Sequence, residues 1–216
     1  MEHWQYYLRG RLLELFGLKV QAIAAYREAT RVKPEFLRPT NRVAYLLASQ
    51  ERFGEAEPYF QAVLRADPGN AVAHFNLGYT FDKRGQHAKA IGAFREAVRL
   101  NPKIDRAWYG LGLSHAALGQ HEAAAKALHE AATLQPMNPH AWYALGMAYH
   151  TLHNPEKVKE VVMHLLRFDP KMTRKLIHDA ERSDLAHLVK RFRADYWHSP
   201  IPMAANWSVV TPRRGH

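Results

Sequence analysis

Histidine is the residue type in this chain that most invites a metal site, because fourteen are present among 216 residues. The candidate pairs are His150 with His153 and His115 with His121. Neither pair comes with a carboxylate at the spacing of a recognised metal-binding motif. His115 also stands 34 residues after Phe81, which predicts that its ring packs in the core. The sequence therefore predicts structural or surface histidines and no metal.

Residues for catalysis are equally sparse. Cysteine is absent, which excludes disulfides, zinc–thiolate sites, iron–sulfur clusters and cysteine nucleophiles. The sequence contains no glycine-rich phosphate loop, no nucleophile elbow and no paired-carboxylate motif. We therefore predict a protein that is not an enzyme and binds no cofactor.

Aromatic side chains recur at a fixed interval and offer binding chemistry instead. Phe75, Tyr109 and Tyr143 follow one another at 34 residues, and Tyr45 and Tyr79 have the same separation. Such side chains supply a large contact area at a small entropic cost and are enriched in binding hot spots. Their spacing predicts an aromatic ladder along one surface, suited to a peptide or a helix of another protein.

The interval of 34 residues belongs to a repeat that runs through most of the chain. Proline, which does not continue a helix interior, follows a segment of helical period each time and marks the boundary between units. The prolines at this interval are Pro34, Pro68, Pro102, Pro136 and Pro170. Small and apolar positions repeat with them: Leu77-Gly78, Leu111-Gly112 and Leu145-Gly146, then Gly17, Gly85 and Gly119. Self-similarity at this period is typical of a helical repeat protein.

Each unit is predicted to contain two antiparallel helices. The first has an apolar seam through Trp108, Leu111 and His115, and Gly119 marks the turn. The second has small residues and aromatic or leucine residues on one helical face. These are Ala22, Ala56, Ala90 and Ala124, then Tyr26, Phe60, Phe94 and Leu128, then Ala29, Ala97 and Ala131. The alanines let helices approach, and the larger side chains fill the remaining gaps.

This pattern resembles the tetratricopeptide repeat (TPR) family, whose characteristic positions are filled almost completely at 71–102 and 105–136. The resemblance implies an all-α fold, a right-handed α-solenoid of antiparallel helix pairs forming a TPR superhelix. It also implies that the first helices line a concave groove and the second helices face outward. The expected function is a protein–protein interaction scaffold or adaptor, including the role of an assembly factor or a non-catalytic subunit of a complex.

The repeat period divides residues 1–169 into five units, followed by two further segments. The units are 1–33, 34–67, 68–101, 102–135 and 136–169. The outer units are less regular, since Arg9 stands at the leucine position of the first, and Thr40, Val43 and Ala44 replace the aromatic, leucine and glycine of the second. Whether these two units contribute to binding is left open.

The C-terminal segments are predicted as capping helices at 170–197 and a flexible or extended tail at 198–216. Apolar stripes mark the two helices: Leu176, Ile177 and Ala180, then Leu185, Leu188, Val189 and Phe192. Lys190, Arg191 and Arg193 are interpreted as solvated cations at the end of the second helix. Trp207, Val209 and Val210 suggest that the tail occupies the groove of its own chain or a neighbour's.

The groove is predicted from the face of each first helix that points away from the apolar seam. This face is rich in aromatic residues and carries some arginine and asparagine. The candidate partner-binding residues are Tyr7, Arg11, Asn41, Arg42, Tyr45, Phe75, Asn76, Tyr79, Arg106, Tyr109, Leu113, Tyr143 and Met147. An alternative is that the tyrosines only pack between neighbouring first helices, with their hydroxyl groups in water.

The nature of the partner stays open between several classes. Asn41, Asn76 and Arg106 match part of the clamp with which some family members bind the C-terminal carboxylate of heat-shock chaperones, but Tyr45 and Gly110 break it. Arginines at 38, 42 and 106 give one end of the groove a positive field that favours an acidic partner, unless they are ordinary surface charges. Pro39 predicts a helix start that leaves Arg38 in the preceding turn.

Charge also admits a second class of partner. The chain has 30 Lys and Arg against 20 Asp and Glu, a net charge of +10, and helical solenoids can bind RNA. RNA binding would require cations that repeat along the groove, so a protein partner is favoured and nucleic acid is the alternative. The N-terminal residues show no secretory pattern and no segment is apolar enough to span a bilayer. We expect a cytoplasmic protein whose oligomeric state the sequence does not fix.

Overall fold

The structure, a computed structural model, describes residues 1–189. Within this range eleven α-helices follow one another and no strand is present. The first helices of the five pairs are α1 (Glu2–Leu15), α3 (Leu37–Ser49), α5 (Ala71–Lys83), α7 (Asp105–Ala117) and α9 (Pro139–Thr151). The second helices are α2 (Lys19–Val32), α4 (Phe53–Ala66), α6 (His87–Leu100), α8 (His121–Leu134) and α10 (Pro155–Leu166). A last helix, α11 (Pro170–Asp179), precedes a 3₁₀ turn at Ser183–Leu185, and residues 186–189 are helical.

The helix pairs confirm the predicted all-α solenoid. Each pair falls inside one predicted unit, and the unit boundaries themselves stay a prediction. The turn between the two helices of a unit needs a left-handed residue, which glycine adopts without a steric penalty. Gly17, Gly85 and Gly119 have φ of 73°, 70° and 71°. In the second and fifth units Glu51 and His153 take the same position, with φ of 60° and 50°.

Glycines in the first helices allow aromatic rings of the second helices to touch the helix backbone. The ring of Phe94 lies between α5 and α7, and a Cβ atom added at Gly78 or Gly110 would come within 2.7 or 2.5 Å of it. Tyr26 lies in the same way against Gly10, and Leu128 against Gly112. These contacts explain why the glycine position recurs with the 34-residue period.

Long side chains near the start of the first helices reach the proline at the beginning of the same unit. The indole nitrogens of Trp108 and Trp142 each donate to a proline carbonyl oxygen, of Pro102 and Pro136, at 2.9 Å. In the third unit the Nε2 atom of His74 bonds to the corresponding carbonyl, of Pro68, at 3.0 Å. This hydrogen bond ties each first helix to the loop that precedes it.

The C-terminal end of the stack is covered by α11. Leu176 is fully buried, and its side chain would lie 2.7 Å from a Cβ atom at Gly146, so it fills the space beside α9. The Asn154-Pro155 helix start is present, because the Asn154 side chain accepts a hydrogen bond from the Lys157 amide. The remainder of the second capping helix and the predicted tail lie outside the described residues.

The start of α3 differs from the prediction. The helix begins at Leu37, two residues before Pro39, and Arg38 is therefore helical. The prediction was wrong because proline is tolerated throughout the first turn, where amide groups have no intrahelical acceptor to bond. Arg38 lies over the ring of Trp4 at 5.9 Å.

His115 confirms its predicted place in the core. It is buried, and its Nδ1 atom lies 2.6 Å from the Oε1 atom of Gln120 in the following turn. In residues 1–189 no three or more His, Asp or Glu side chains come close enough to hold a metal ion. Among the described helices none has both the length and the apolar character needed to cross a membrane.

Candidate functional site

The first helices line the inner side of the curved stack. Helix α3 contacts α5, α5 contacts α7, and α7 contacts α9. Within the described residues, the successive second helices α4, α6, α8 and α10 share no comparable contacts. Helices on the inner side of a curved stack lie closer together, so the first helices form the concave surface. The candidate residues of α3, α5, α7 and α9 therefore lie on helices that form this surface.

Six of the candidate residues, on α3, α5 and α7, surround one cavity of about 540 Å³. It lies in the part of the groove nearer the N-terminus, which we call the upper part. We call this cavity the central groove cavity. Its lining from the predicted set is Asn41, Arg42, Tyr45, Phe75, Asn76 and Arg106. The same cavity is lined by Val72, Lys103, Ile104 and Asp105, which sequence reasoning missed. These four residues lie in or beside the loops that precede first helices, where the 34-residue pattern carries little information.

The exposure of the aromatic residues varies along the groove. Tyr45 is 51% exposed and Tyr79 is 41% exposed, so both rings are available to a partner. Leu113 is also exposed. Tyr7 is only 9% exposed, because its ring packs against Tyr26, Trp4 and Phe36. The exposed aromatic ladder therefore does not extend to Tyr7.

The lower part of the groove, nearer the C-terminus on α7 and α9, is more closely packed. Tyr109, Tyr143 and Met147 are half-buried against the C-terminal half of the core. Burial raises the pKa of the Tyr109 hydroxyl. Of the two interpretations of the tyrosines, packing between helices describes Tyr109, and exposure to a partner describes Tyr45 and Tyr79.

Cations lie over four of the groove's aromatic rings. Each cation is attracted to the electron-rich face of the ring, which holds a long and flexible side chain against the surface. The pairs, with the distance from the cation to the ring centre, are Arg42–Tyr45 (5.4 Å), Arg106–Phe75 (5.8 Å), Lys83–Tyr79 (5.4 Å) and Lys175–Tyr143 (4.2 Å). The signal for Lys83 was present in the sequence, since it follows Tyr79 by four residues on one helix.

The two central arginines differ in their partners. Arg42 forms an ion pair with Glu14 of α1, whose carboxylate also accepts the hydroxyl hydrogen of Tyr26. Burial raises the pKa of that hydroxyl to about 12. Arg106 is exposed and forms no ion pair with any described residue. Of these two arginines, Arg106 is therefore the one that is free to meet a carboxylate.

Gly110 cannot be replaced by the asparagine that a full carboxylate clamp requires. A Cβ atom at this position would lie 2.5 Å from the Cζ atom of Phe94, a distance that requires the buried ring to shift. The packing of Phe94 thus excludes one of the two missing clamp residues on steric grounds.

Tyr143 connects the lower groove to α11. Its hydroxyl donates to the Oδ2 atom of Asp179 at 2.7 Å, and the Lys175 ammonium lies 2.6 Å from the same oxygen. Lys175 also donates to the Tyr143 hydroxyl oxygen, at 2.7 Å. No sequence signal identified this cluster, because the position of α11 does not follow from the repeat.

The stability of α11 docking should depend on pH through the cluster of Tyr143, Lys175 and Asp179. Hydrogen bonds from Lys175, Tyr143 and His178 hold the pKa of Asp179 well below its usual range. A depressed carboxylate pKa contributes stability that is fully present above the unfolded value of about 3.9. That stability is lost as the pH falls towards the folded value. We expect amide protection in α11, measured by hydrogen exchange and corrected for intrinsic rates, to fall below pH ~4.

The variant Asp179→Asn isolates this contribution. It should lower α11 protection at pH 7 and reduce its change between neutral and acidic pH. Glu160→Gln is the control, because Glu160 pairs with Lys157 within α10 and makes no such link. Equal protection profiles for Asp179→Asn and the unmodified chain would contradict the role of Asp179.

Family models match most of the repeat region. Two matches to a tetratricopeptide repeat model cover residues 42–103 and 75–132, a TPR repeat model covers 114–152, and a further tetratricopeptide repeat model covers 139–172. The general transcriptional corepressor ssn6 of Schizosaccharomyces pombe (strain 972) is 31% identical over 85 residues. These residues are 39% of this chain and 8% of that protein.

Solved structures share the fold at low sequence identity. YrrB, described as a TPR protein with an unusual peptide-binding site, is 23% identical with a TM-score of 0.72, covering 82% of this chain and 90% of that one. MamA from Desulfovibrio magneticus RS-1 is 21% identical with a TM-score of 0.70, covering 82% and 96%. The helix pairs, the glycine turns and the family models agree, and this chain belongs to the tetratricopeptide repeat family.

Proposed function

We propose that this protein is an interaction scaffold that binds a peptide or a helix of a partner protein in its concave groove. Membership in the family supports the scaffold function in general. The observation that carries the specific proposal is the central groove cavity, which combines the exposed ring of Tyr45 with the unpaired cation of Arg106. The partner-binding role of each candidate residue is part of this proposal.

The cavity has the hydrogen-bonding groups that a peptide needs. The side-chain amides of Asn41 and Asn76 both line it, and no described residue hydrogen-bonds to either of them. An asparagine amide both donates and accepts, so it can satisfy a peptide N–H and a C=O group. Their position beside Tyr45 and Phe75 places polar contacts among apolar ones, which is how binding sites fix orientation.

The charges of the cavity favour an acidic segment. Lys103 and Arg106 line it with Arg42, whereas Asp105 is its only carboxylate among the described residues. A carboxylate of the partner can form a bidentate hydrogen bond with the Arg106 guanidinium. Aromatic side chains and a helix or peptide backbone would fill the remaining space along Tyr45 and Tyr79.

RNA is less well supported by the groove. Its lower part presents Tyr109, Leu113 and Met147, and its cation Lys175 is already paired with Asp179. A backbone of phosphates requires cations along the whole path. The described groove concentrates its free cations at one end, which suits a single acidic segment better than a nucleic acid strand.

Affinity purification of the full chain tests the class of partner. The purification is performed from native cells at low and high salt, with and without nuclease, and bound material is identified by mass spectrometry. A discrete protein that survives nuclease supports the scaffold. Loss of all bound protein after nuclease treatment would contradict it and favour RNA. A stable partner would also identify the assembly-factor or subunit role, and cell fractionation would test the cytoplasmic location.

Charge reversal at Arg106 tests the acidic segment. We expect Arg106→Glu to weaken binding of the identified partner at least about tenfold at low salt, or ~1.4 kcal/mol. The salt dependence of the remaining binding should also decrease, because the attraction between opposite charges is lost. Arg95→Glu on the outward helix α6 is the matched control with the same change in net charge. Equal losses for the two variants would mean that only net charge matters, and would overturn the assignment.

A further inference from the structure

A second cavity, of about 820 Å³, lies between the end of the first unit and the helices α3 and α4 of the second. We call it the second-repeat pocket. Its lining includes Pro34, Leu37, Thr40, Tyr59, Ala62 and Ala66. It shares no lining residue with the central groove cavity. Most of the lining is apolar, and the site is independent of the proposed groove.

The fifth unit shows what fills this space elsewhere in the chain. There the indole of Trp142 stacks on the His164 ring, with centroids 3.8 Å apart, and Phe168 packs edge-on against His164 at 5.6 Å. The residues 102 positions earlier are Thr40, Ala62 and Ala66. Three aromatic side chains are thus replaced by a threonine and two alanines, all of which line the second-repeat pocket. The pocket corresponds to the space of an aromatic cluster.

The pocket also has an unused hydrogen-bond acceptor. The proline carbonyls of the third, fourth and fifth units bond to His74, Trp108 and Trp142, at 2.9 to 3.0 Å. The corresponding residue in the second unit, Thr40, is too short and its hydroxyl instead lies 3.3 Å from the Thr30 hydroxyl. No described residue donates a hydrogen bond to the carbonyl oxygen of Pro34. An occupant with a ring N–H group can therefore restore the missing bond.

The charge at the pocket restricts the occupant further. Glu35 lines the pocket and is exposed. It forms no ion pair within residues 1–189, and the nearby Arg31 is paired with Glu28. A free carboxylate beside an apolar pocket complements a basic residue next to an aromatic anchor.

We propose that the second-repeat pocket binds a tryptophan side chain carried by a peptide segment of a partner protein, with a basic residue adjacent to that tryptophan. The indole takes the space of Trp142 in the fifth unit and donates its N–H group to the carbonyl oxygen of Pro34. The cationic neighbour meets the carboxylate of Glu35. Phenylalanine lacks the donor, so the pocket prefers tryptophan over phenylalanine.

Methyl resonances of alanine, valine and isoleucine in the full-length protein provide the test. The probes are the five-residue peptide acetyl-Gly-Lys-Trp-Lys-Gly-amide and its counterparts with phenylalanine or alanine in place of tryptophan. We expect the tryptophan peptide to cause saturable shifts at the methyl groups of Ala62 and Ala66. Affinity should fall at least about threefold for the phenylalanine peptide and tenfold for the alanine peptide, the range expected for one lost hydrogen bond and one lost ring.

Variants that refill the pocket from within should abolish this binding. Thr40→Trp supplies the indole of the fourth and fifth units, and Ala66→Phe supplies the ring of Phe168 at an exposed position that tolerates it. Both variants should weaken binding of the tryptophan peptide at least about tenfold, a loss of ~1.4 kcal/mol. The near-isosteric Thr40→Val leaves the pocket open and should retain binding. Unchanged affinity in both filled variants would overturn the proposal.

Two further outcomes would also overturn it. Shifts confined to methyl groups that line the central groove cavity, those of Val72 and Ile104, would place the peptide at the groove. Binding that appears only in the full-length variant Trp207→Ala would assign the pocket to the chain's own tryptophan and remove the partner. Neither result alters the groove test, because Arg106 does not line the second-repeat pocket.

Discussion

Replacement of Phe94 with alanine is expected to lower the free energy of unfolding by about 3–5 kcal/mol, the largest effect of any substitution considered for this chain. The ring is 1% exposed and lies between α5 and α7, in contact with the backbone at Gly78 and Gly110. Its removal loses the transfer free energy of a phenyl group and leaves a cavity that packed helices close only in part. Urea denaturation followed by far-UV circular dichroism measures the change.

Two glycine variants provide an internal check on this packing. Glycine to alanine within a helix ordinarily stabilises by up to ~1 kcal/mol. We expect that gain at Gly92, where an added Cβ atom would meet nothing within 4 Å. At Gly110 the same change pushes a methyl group into the Phe94 ring, and overpacking of this kind costs about 1–3 kcal/mol. The two substitutions are chemically identical and differ in sign only because of their neighbours.

Two results of the stability measurements would contradict this packing of Phe94 against the glycines. Core Phe→Ala variants ordinarily lose about 3–5 kcal/mol of unfolding free energy. A loss below about 1 kcal/mol for Phe94→Ala would therefore mean that α5 and α7 close over the cavity. Stabilisation by Gly110→Ala equal to that by Gly92→Ala would mean that the ring contact is absent. Either result would remove the explanation for the recurring glycine.

Combined replacement of Tyr45 and Tyr79 by alanine is expected to weaken binding of the proposed protein partner at least about 30-fold, or ~2 kcal/mol. Both rings are exposed and lie under a cation, Arg42 in one case and Lys83 in the other. Their loss removes contact area from the partner and releases the cations into solvent. Because neither ring is buried, thermal stability should change little. Titration calorimetry with the purified partner measures the affinity.

The control for this pair is a double replacement on other surfaces. Leu118→Ala with Met163→Ala removes two apolar side chains that are 44% and 42% exposed, close to the values for Tyr45 and Tyr79. This control should bind the partner as the unmodified chain does. A comparable loss in both double variants would show that general exposed apolar area, and not the groove, determines the affinity.

The second unit stands out when the two proposed sites are considered together. Its first helix contributes Asn41, Arg42 and Tyr45 to the central groove cavity and Thr40 to the second-repeat pocket. The sequence marked this unit as irregular, because Thr40 replaces an aromatic residue. A departure from the repeat at a buried position leaves space, and space in a packed interior is what a partner's side chain can fill. Both proposals thus place binding at a unit that departs from the repeat.

Much of the fold could be predicted because each residue's structural role repeats with the period. Proline after a helical segment, glycine at the turn and alanine on the second helix each have a local physical reason that holds in any unit. The turn glycines and the buried His115 were predicted in this way. Glu51 and His153 were not, because packing of the two flanking helices imposes a positive φ on residues that rarely adopt it alone.

The sequence by itself determined the period, the all-α solenoid and the helix faces, since these depend on spacing along one chain. Only the tertiary structure decided which residues of the inner face are accessible. Tyr7 and Phe75 occupy the same position in the repeat, yet Tyr7 is buried under Trp4 and Phe36, while Phe75 is only half-buried and lines the central groove cavity. Arg42 is paired with Glu14 across 28 residues, and Arg106 is not paired among the described residues. Exposure and pairing depend on neighbours brought together by folding, and the repeat period does not contain that information.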